Sequence, residues 1–195
     1  MKRQECIETP RLCLRKPNRS DAAEILARYS GDPEVTKFLG WPRHRSLEDT
    51  IAFLSFSDDE WARWPAGPYL IESKNEARLL GSTGLSFETR KMAATGYVLA
   101  KDAWGRGYAT EALGAMVDLA PKLGLEQIYA FCHQNHSGSA RVLEKCGFRR
   151  DSAQGRPVQF PNLEPEAVQP SLCYIRTVGI GNGSWPWQHT LVVEG

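Results

Sequence analysis

The chain has 195 residues, 42% of them hydrophobic, which is typical of one globular domain with a sizeable core. Its 24 basic and 23 acidic side chains give a formal net charge of +1, so we expect no strong overall attraction to nucleic acid or to an anionic membrane. The sequence has neither an apolar run of about 18 residues nor a signal-peptide pattern, so we expect a cytoplasmic protein without a membrane span.

The five cysteines are odd in number and scattered along the chain, without a Cys-x-x-Cys pair. Such spacing indicates neither a disulfide framework nor a zinc site, and we expect no metal. Free cysteine usually packs as a small hydrophobic group, so we expect buried thiols at Cys6, Cys13, Cys132, Cys146 and Cys173.

The N-terminal third predicts one strand followed by helices. Glu8 to Arg15 alternates polar and apolar residues with a period of two, which is typical of a strand. Asn18 to Asp21 then precedes apolar residues at helical spacing and predicts a capped helix. A short helical turn is expected over Val35 to Leu39, and Ser46 to Asp49 fits the capping-box pattern at the start of a further helix.

The middle of the chain predicts an antiparallel meander. Pro68 to Ser73 and Leu79 to Phe87 have the composition of two strands, joined by a polar turn at Lys74 to Glu76. Thr95 to Ala100 is predicted as the next strand, after a linker at Arg90 to Met92.

The second half of the chain predicts successive β-α units. A helix from Thr110 to about Lys122 is expected to end at Gly124, and a strand follows from Gln127 to Cys132. A second helix is expected from about Ser137 to Cys146, where Gly147 ends it. This order favours an α/β architecture in this half.

The pattern weakens after Phe148. Gln154 to Pro170 is rich in proline and is predicted as a long loop before a strand at Ser171 to Val178. Residues 179–195 have no clear period, so this tail is expected to be disordered, to cover a sheet edge or to make contacts in a homodimer. We therefore assign residues 1–178 to one domain and residues 179–195 to a C-terminal tail.

The most informative stretch runs from Trp104 to Thr110, between an apolar run and a helical pattern. Gly105 and Gly107 leave the backbone free to turn, so successive N–H groups and the helix dipole can converge on a phosphate. A tight turn between strand and helix has the same pattern. The loop lacks the third glycine and the later acidic residue of a dinucleotide fingerprint, and no Gly-Lys-Ser/Thr follows it. The candidate ligand that remains for this loop is a diphosphate bound without a metal.

A second segment, His136 to Phe148, stands a fixed distance after this loop, and the pair is far more specific than either part. The chain resembles the GNAT superfamily of N-acetyltransferases, and within it the RimJ/RimL-type enzymes that acetylate ribosomal proteins at the N-terminus. The resemblance covers roughly residues 8–150 and is carried by Thr9 to Arg15, Trp104 to Leu113 and Ser139 to Phe148. It implies a mixed, mostly antiparallel sheet, splayed at the cofactor site and flanked by helices, an α/β (α+β) fold.

The resemblance also implies how acetyl-CoA is held. The backbone of Tyr97, Val98 and Leu99 would pair with the pantetheine arm. His136 stands where the family usually has Asn and would give the arm one hydrogen bond. The pyrophosphate would be held by the loop, which consists of Trp104, Gly105, Arg106, Gly107, Tyr108, Ala109 and Thr110.

Catalytic roles follow from the same resemblance. Ser139 would lie near the sulfur and stabilise the leaving thiolate, although a serine here can equally cap the helix. The tyrosine that serves as general acid in some relatives is replaced by Leu143. The backbone N–H near Leu99, exposed by the splayed strands, would stabilise the oxyanion that develops on the acetyl group.

A general base is also needed, and His133 is the preferred candidate. Residues 131 and 133 share one face of a strand, and related enzymes place a base on that face at the position of Phe131. A histidine that is merely hydrogen-bonded at the strand end is the alternative. Glu88 and Glu72 are further candidates, whereas Glu111 is better placed to favour a helix N-terminus.

The implied function is transfer of an acetyl group from acetyl-CoA to a primary amine, with a protein N-terminal α-amino group as one acceptor. A polyamine, an aminoglycoside or an amino acid is the alternative, and a non-catalytic acyl-CoA-binding module is another. No direct nucleic-acid or membrane partner is expected. Aromatic residues that could shape an acceptor pocket, or simply fill the core, are Trp41, Trp61, Trp64 and Tyr69.

Overall fold

The computed structural model describes residues 3–151, 157–165 and 167–179. The strands are β1 (Cys6–Glu8), β2 (Leu12–Arg15), β3 (Pro68–Ser73), β4 (Arg78–Phe87), β5 (Met92–Leu99), β6 (Gln127–His133), β7 (Arg149–Asp151), β8 (Pro157–Gln159) and β9 (Val168–Thr177). The α-helices are α1 (Ala22–Ile25), α2 (Pro33–Thr36), α3 (Leu47–Arg63), α4 (Tyr108–Leu119) and α5 (Ser137–Lys145).

Short turns of other helix types extend these elements. A 3₁₀ turn at Arg19–Asp21 precedes α1, and a π-helical turn at Leu26–Ser30 follows it. Asn18 caps the first of these turns, which confirms the predicted cap, and the structure shows that Asp21 completes a capping box with it. Ser46 and Asp49 form a second capping box at the start of α3.

The strands form one sheet in the order β1-β2-β3-β4-β5-β6-β9-β7, with β8 paired to β9. Every pair is antiparallel except β5 and β6, which run parallel. Both faces are covered by apolar side chains. Helices α4 and α5 pack with Leu113 and Leu143 on one face, and α1 and α3 pack with Ile25 and Leu54 on the other.

The sheet opens between its two parallel strands. Only Met92–Ala94 of β5 pair with β6, opposite Gln127–Tyr129. Beyond Ala94 the strands diverge, while β4 stays paired with β5 as far as Leu99. The predicted splayed sheet is therefore confirmed, and the gap exposes one backbone edge of residues 95–99.

The predicted first strand and strand β5 have different bounds in the structure. The expected first strand, Glu8 to Arg15, is wrong: Pro10 lies in a turn closed by Thr9 N–H on the Leu12 carbonyl, which separates β1 from β2. The strand expected from Thr95 starts at Met92, because the weakly strand-forming Ala93 and Ala94 are fixed there by pairing with β6.

The loop predicted over Gln154 to Pro170 is also corrected. Its part from Pro157 to Gln159 is strand β8, which pairs with the start of β9 at Pro170 to Val168. Pro157 and Pro170 hide this pairing in the sequence, and Pro157 is tolerated because it is the first residue of a short edge strand. Strand β9 therefore begins at Val168 rather than at Ser171.

Two further expectations can be compared with the structure. Cys132 and Cys173 are buried, Cys13 and Cys146 are partly buried, and Cys6 is exposed on β1, so the expectation of five buried thiols is wrong at Cys6 and only partly met at Cys13 and Cys146. None of the described helices is both long and apolar enough to cross a membrane. The tail expected at residues 179–195 lies, apart from Gly179, outside the described residues.

Candidate active site

The glycine loop lies between the end of β5 and the start of α4. Gly105 and Gly107 adopt φ angles of 71° and 80°, in the left-handed region that favours glycine. Gly107 is the N-cap of α4 and gives it no side-chain cap. Within the described part of the chain, no backbone N–H from Gly105 to Thr110 has a hydrogen-bond acceptor. This row of free donors at a helix N-terminus fits a diphosphate.

The loop is braced from the first strands. Arg11 Nη1 donates to the Arg106 carbonyl at 2.9 Å, and Arg11 Nε lies 2.6 Å from Glu111 Oε2. Glu111 Oε1 also accepts from Thr9 Oγ1 at 2.6 Å and from the Arg11 N–H at 2.9 Å. Burial opposes ionisation of Glu111, but these hydrogen bonds outweigh it and lower the pKa of its carboxyl. Glu111, predicted only to favour the helix N-terminus, therefore ties the start of α4 to the turn between β1 and β2.

A cleft of about 370 Å³ runs along this loop. Every residue predicted to bind the cofactor lines it except Arg106. The Arg106 side chain turns away, with Nη2 at 2.7 Å from Glu76 Oε1, so only its backbone remains for the loop. Arg141 and Lys145 of α5 line the far wall and bring positive charge to the cleft.

The open edge of β5 carries Leu99. Ala100 N–H donates to the Leu80 carbonyl of β4 at 2.7 Å. Successive N–H groups of a strand point to opposite edges, so the Leu99 N–H points toward the gap left by β6. The Leu99 carbonyl accepts from Trp104 Nε1 at 2.8 Å, which fixes the loop to the same edge.

His136 is the N-cap of α5. Its Nδ1 accepts from the Ser139 N–H at 3.3 Å, so the ring proton is on Nε2. Burial, and next the proximity of His133, lower the pKa of His136. The ring is therefore uncharged at neutral pH and can donate one hydrogen bond through Nε2.

Ser139 does not cap the helix itself, because His136 does so. Its hydroxyl instead meets strand β5: Tyr97 Oη donates to Ser139 Oγ at 3.2 Å, with the Ser139 carbonyl 3.5 Å away. Burial raises the pKa of Tyr97, which keeps its hydroxyl protonated and a donor. Both side chains line the cofactor cleft and the neighbouring cavity.

That neighbouring cavity has a volume of about 400 Å³ and lies over the splayed strands. Its floor consists of small residues on β4 and β5, namely Ser82, Gly84, Ser86, Ala94 and Gly96. Its walls are aromatic: Phe38, Trp41, Phe56, Phe131 and Phe160. The cavity meets the cofactor cleft at Leu39, Tyr97, Val98, His136 and Ser139.

One wall of this cavity is held by Asn162. Its Nδ2 donates to the carbonyls of Thr36 and Trp41 at 2.8 and 2.9 Å, and its Oδ1 accepts from the Arg43 N–H at 2.7 Å. The segment after α2 is thereby fixed to the turn between β8 and β9. The proline-rich region predicted as a loop thus forms part of the cavity wall.

His133 lines the cavity but uses both ring nitrogens. Nδ1 accepts from the Asn135 N–H at 3.1 Å, and Nε2 lies 2.9 Å from Gln169 Oε1. The imidazole stacks on Phe38, with ring centroids 5.0 Å apart. A proton can therefore reach Nδ1 only when the bond from Asn135 opens.

The other predicted bases lie elsewhere. Glu72 pairs with Arg15 at 2.7 Å, and Glu88 accepts from the Tyr129 hydroxyl; neither lines the cavity. Among the described lining residues the one charged side chain is Glu60 of α3. Sequence reasoning missed it, because helical spacing relates Glu60 to Phe56 but does not indicate which surface the pair faces.

The predicted aromatic cluster divides between two roles. Trp41 lines the cavity, whereas Trp61 and Tyr69 are fully buried and pack edge to face at 5.0 Å. Trp64 stacks on Phe87 at 5.1 Å. The last three residues therefore serve the core. No cluster of potential metal ligands occurs within the described ranges.

The splayed sheet and the loop at its open edge define an acetyl-CoA-dependent acyltransferase. Residues 11–149 match the family described as Acetyltransferase (GNAT) domain, and the chain belongs to this family. It is 30% identical over 167 residues to "Uncharacterized N-acetyltransferase YoaA" of Bacillus subtilis, across 82% of this chain and 90% of that protein.

Solved structures share the fold. RimL, a ribosomal L7/L12 α-N-protein acetyltransferase in complex with coenzyme A, superposes with a TM-score of 0.74 at 20% identity, over 89% of this chain and 98% of RimL. The microcin C7 self-immunity acetyltransferase MccE, in complex with acetyl-CoA and AMP, gives 0.74 at 18% identity, over 87% and 94% of the two chains. The predicted fold and superfamily are confirmed.

Proposed function

We propose that this protein transfers the acetyl group of acetyl-CoA to a primary amine by direct attack of the amine on the thioester. The observation that carries the proposal is the meeting of the cofactor cleft and the aromatic cavity at Tyr97, Val98 and Ser139. A thioester in the cleft would face an amine in the aromatic cavity, which we therefore call the acceptor cavity. Direct transfer then needs no acylated side chain.

The cleft fits acetyl-CoA, which supplies the acetyl group as a thioester. Free N–H groups of residues 105–110 would hold the pyrophosphate, while Arg141 and Lys145 bring compensating positive charge. The open edge of Tyr97, Val98 and Leu99 would pair with the pantetheine arm, and His136 Nε2 would donate to it.

Two groups would stabilise the charges that develop during transfer. The Leu99 N–H at the open edge would donate to the acetyl oxygen as it becomes negative. Ser139 would donate to the sulfur that leaves. Because Tyr97 donates to Ser139 Oγ, the proton of the serine hydroxyl points away from Tyr97, where the Cys132 sulfur is one acceptor within reach and the sulfur of the cofactor would be another. Tyr97 thus acts as a positioning residue for Ser139.

His133 remains the proposed base. Its place on the wall of the acceptor cavity supports the role, and the bond from Asn135 N–H to Nδ1 sets a condition on it. Acceptor binding would have to open that turn so that Nδ1 can take the proton of the amine.

Two acceptor classes are compatible with the cavity. RimL is named as a ribosomal α-N-protein acetyltransferase, and MccE is named as a microcin C7 self-immunity acetyltransferase in complex with acetyl-CoA and AMP. For this chain we propose a protein N-terminal α-amino group as one class, with a small-molecule amine as the other. An aromatic cavity suits an amine on a partly apolar carrier in either case.

An acceptor panel tests the proposal. Thiol release from acetyl-CoA is followed with N-terminal peptides, polyamines, aminoglycosides and amino acids, and mass spectrometry identifies each product. We expect amine-dependent release with at least one class. Binding of acetyl-CoA without release across the panel would favour a non-catalytic module instead.

A further inference from the structure

Glu60 and Phe56 stand together on one wall of the acceptor cavity, away from the cofactor cleft. Both lie on α3, four residues apart, which places them on the same helix face. Phe56 is 51% exposed, an unusual state for a large apolar side chain. Neither residue takes part in the transfer chemistry described above, so this end of the cavity has no assigned role.

Glu60 is the charged residue that lines this end of the cavity. No lysine or arginine lines the cavity among the described residues, and the Glu60 carboxylate makes no hydrogen bond or ion pair with any of them. Of the two histidines on the wall, His136 is kept uncharged by its lowered pKa. A positively charged ligand group in the cavity would therefore find one carboxylate on the lining and no lysine or arginine beside it there, while Arg63 on the same helix interacts with Glu60 from outside the cavity.

The geometry of the sheet gives the distance from Glu60 to strand β5, which faces the proposed reaction centre. A Cβ placed at Gly67 would lie 3.4 Å from Glu60 Cβ, so Glu60 stands over the start of β3. Pro68, Gly84 and Gly96 are register partners on β3, β4 and β5. Two strand spacings separate β3 from β5, so Glu60 lies roughly 10 Å across the sheet from the strand that faces the thioester.

The surface between these points suits an apolar body. Gly96 has open space above it, whereas the backbone of Gly67 and Pro68 lies over Gly84 and bounds the surface on that side. Phe56 and Trp41 form part of the cavity wall beside this floor. A flat or extended hydrocarbon segment can lie there without displacing a polar side chain.

We propose that Glu60 binds a second cationic group of the acceptor, so that the preferred substrate is a primary amine with an apolar segment and a further ammonium or guanidinium group roughly 10 Å away. This inference rests on the proposed function and specifies its acceptor. Two sources have this chemistry: a long diamine, and a peptide with a basic side chain near its N-terminus.

Matched pairs of acceptors test the inference. One pair is an eight-carbon terminal diamine and octylamine; the other is a tripeptide amide with lysine in third place and the same peptide with norleucine. The quantity measured is the ratio of kcat/KM within each pair. A diamine has two equivalent amines, so we expect a wild-type ratio well above two for the diamine pair or well above one for the peptide pair, and the pair that shows it identifies the source. Ratios no higher than these limits in both pairs would overturn the inference.

Glu60→Gln is expected to lower that ratio by about three- to tenfold through KM, because a partly exposed ion pair contributes modest binding energy. Asp59→Asn removes the neighbouring exposed carboxylate, which does not line the cavity, and is expected to keep the wild-type ratio. A tenfold salt increase should also reduce the wild-type ratio.

Two further outcomes would overturn the inference alone. One is a ratio that Glu60→Gln leaves unchanged. The other is an equal loss of kcat for both members of a pair with removal of the acid limb of the pH profile, which would make Glu60 the general base. Absence of transfer to every amine in the wild type would instead contradict the proposed function itself.

Discussion

Tyr97 Oη donates to Ser139 Oγ at 3.2 Å and so links strand β5 to helix α5 across the mouth of the splayed sheet. The bond lies where the cofactor cleft and the acceptor cavity meet. The tyrosine that serves as general acid in some relatives is replaced by Leu143 in this chain. The tyrosine hydroxyl near the cleft comes instead from Tyr97 on β5. The hydroxyl groups of Tyr97 and Ser139, which belong to two different elements, thus lie beside the place where we expect the leaving sulfur.

Tyr97→Phe should lower kcat about tenfold or more while leaving the Kd for acetyl-CoA within about twofold, because one hydrogen bond that orients Ser139 is lost. The same loss is expected for Ser139→Ala, and the double variant should be no slower than the slower single one. Steady-state kinetics and calorimetry measure both quantities.

The leaving group separates this role from a structural one. With an aryl thioester of acetate, whose thiol leaves without help, the variants should recover most of the lost rate. An equal defect with both thioesters would contradict the positioning role and leave Tyr97 as a tie between β5 and α5.

Gly107→Val should abolish binding of coenzyme A, because a branched side chain at φ 80° strains the loop and crowds the free N–H groups. Gly124→Val is a matched control: Gly124 has φ 79° and does not line the cleft. Each variant should lose about 1–3 kcal/mol of stability. Only Gly107→Val should lose the affinity, measured by calorimetry, and retained affinity would remove the pyrophosphate from this loop.

Glu111→Gln should lower the free energy of unfolding at pH 7 by about 1.5–3 kcal/mol, since charge-assisted hydrogen bonds from Arg11 and Thr9 are weakened. The pKa of Glu111 is lowered on folding, so its contribution is full above the unfolded value near 4.3 and is lost as pH falls through the folded value. Urea unfolding of wild type and variant should therefore converge at low pH.

Asp118→Asn provides the control for this pH dependence, because Asp118 is exposed on the same helix. It should change stability little at either pH. A difference between Glu111→Gln and wild type that persists unchanged at pH 3 would mean that packing, rather than ionisation, explains the effect.

His133→Ala should lower kcat at neutral pH and flatten the limb of the pH–rate profile that reports the base. Affinity for acetyl-CoA should persist, because His133 lines only the acceptor cavity. Gln169→Ala is a useful companion, since it frees Nε2 without removing the ring. An unchanged profile in His133→Ala would remove this residue from the base role.

Local chemistry made much of the fold predictable from sequence. The helix cap at Asn18 and the capping box at Ser46 are read directly from the sequence, and the glycine loop from its spacing. The turn at Pro10 escaped prediction because the alternation of polar and apolar residues continues through it from Glu8 to Arg15. Strand β8 escaped prediction because three residues are too few to show a period.

The site was less predictable, since it depends on which residues the fold brings together. Spacing indicates that loop 105–110 binds phosphate, but the contact of Tyr97 with Ser139 joins residues 42 positions apart. The exposure of Glu60 to the cavity likewise depends on how α3 sits against the sheet. Such long-range contacts leave no local pattern.

The most direct test of acetyl transfer is the balance between thiol released from acetyl-CoA and acetylated amine formed, measured with purified protein across the acceptor panel. The proposed function predicts equal amounts of both products with an accepted amine, and loss of both in Gly107→Val. Tight binding of acetyl-CoA with no acetylated amine from any member of the panel would contradict it.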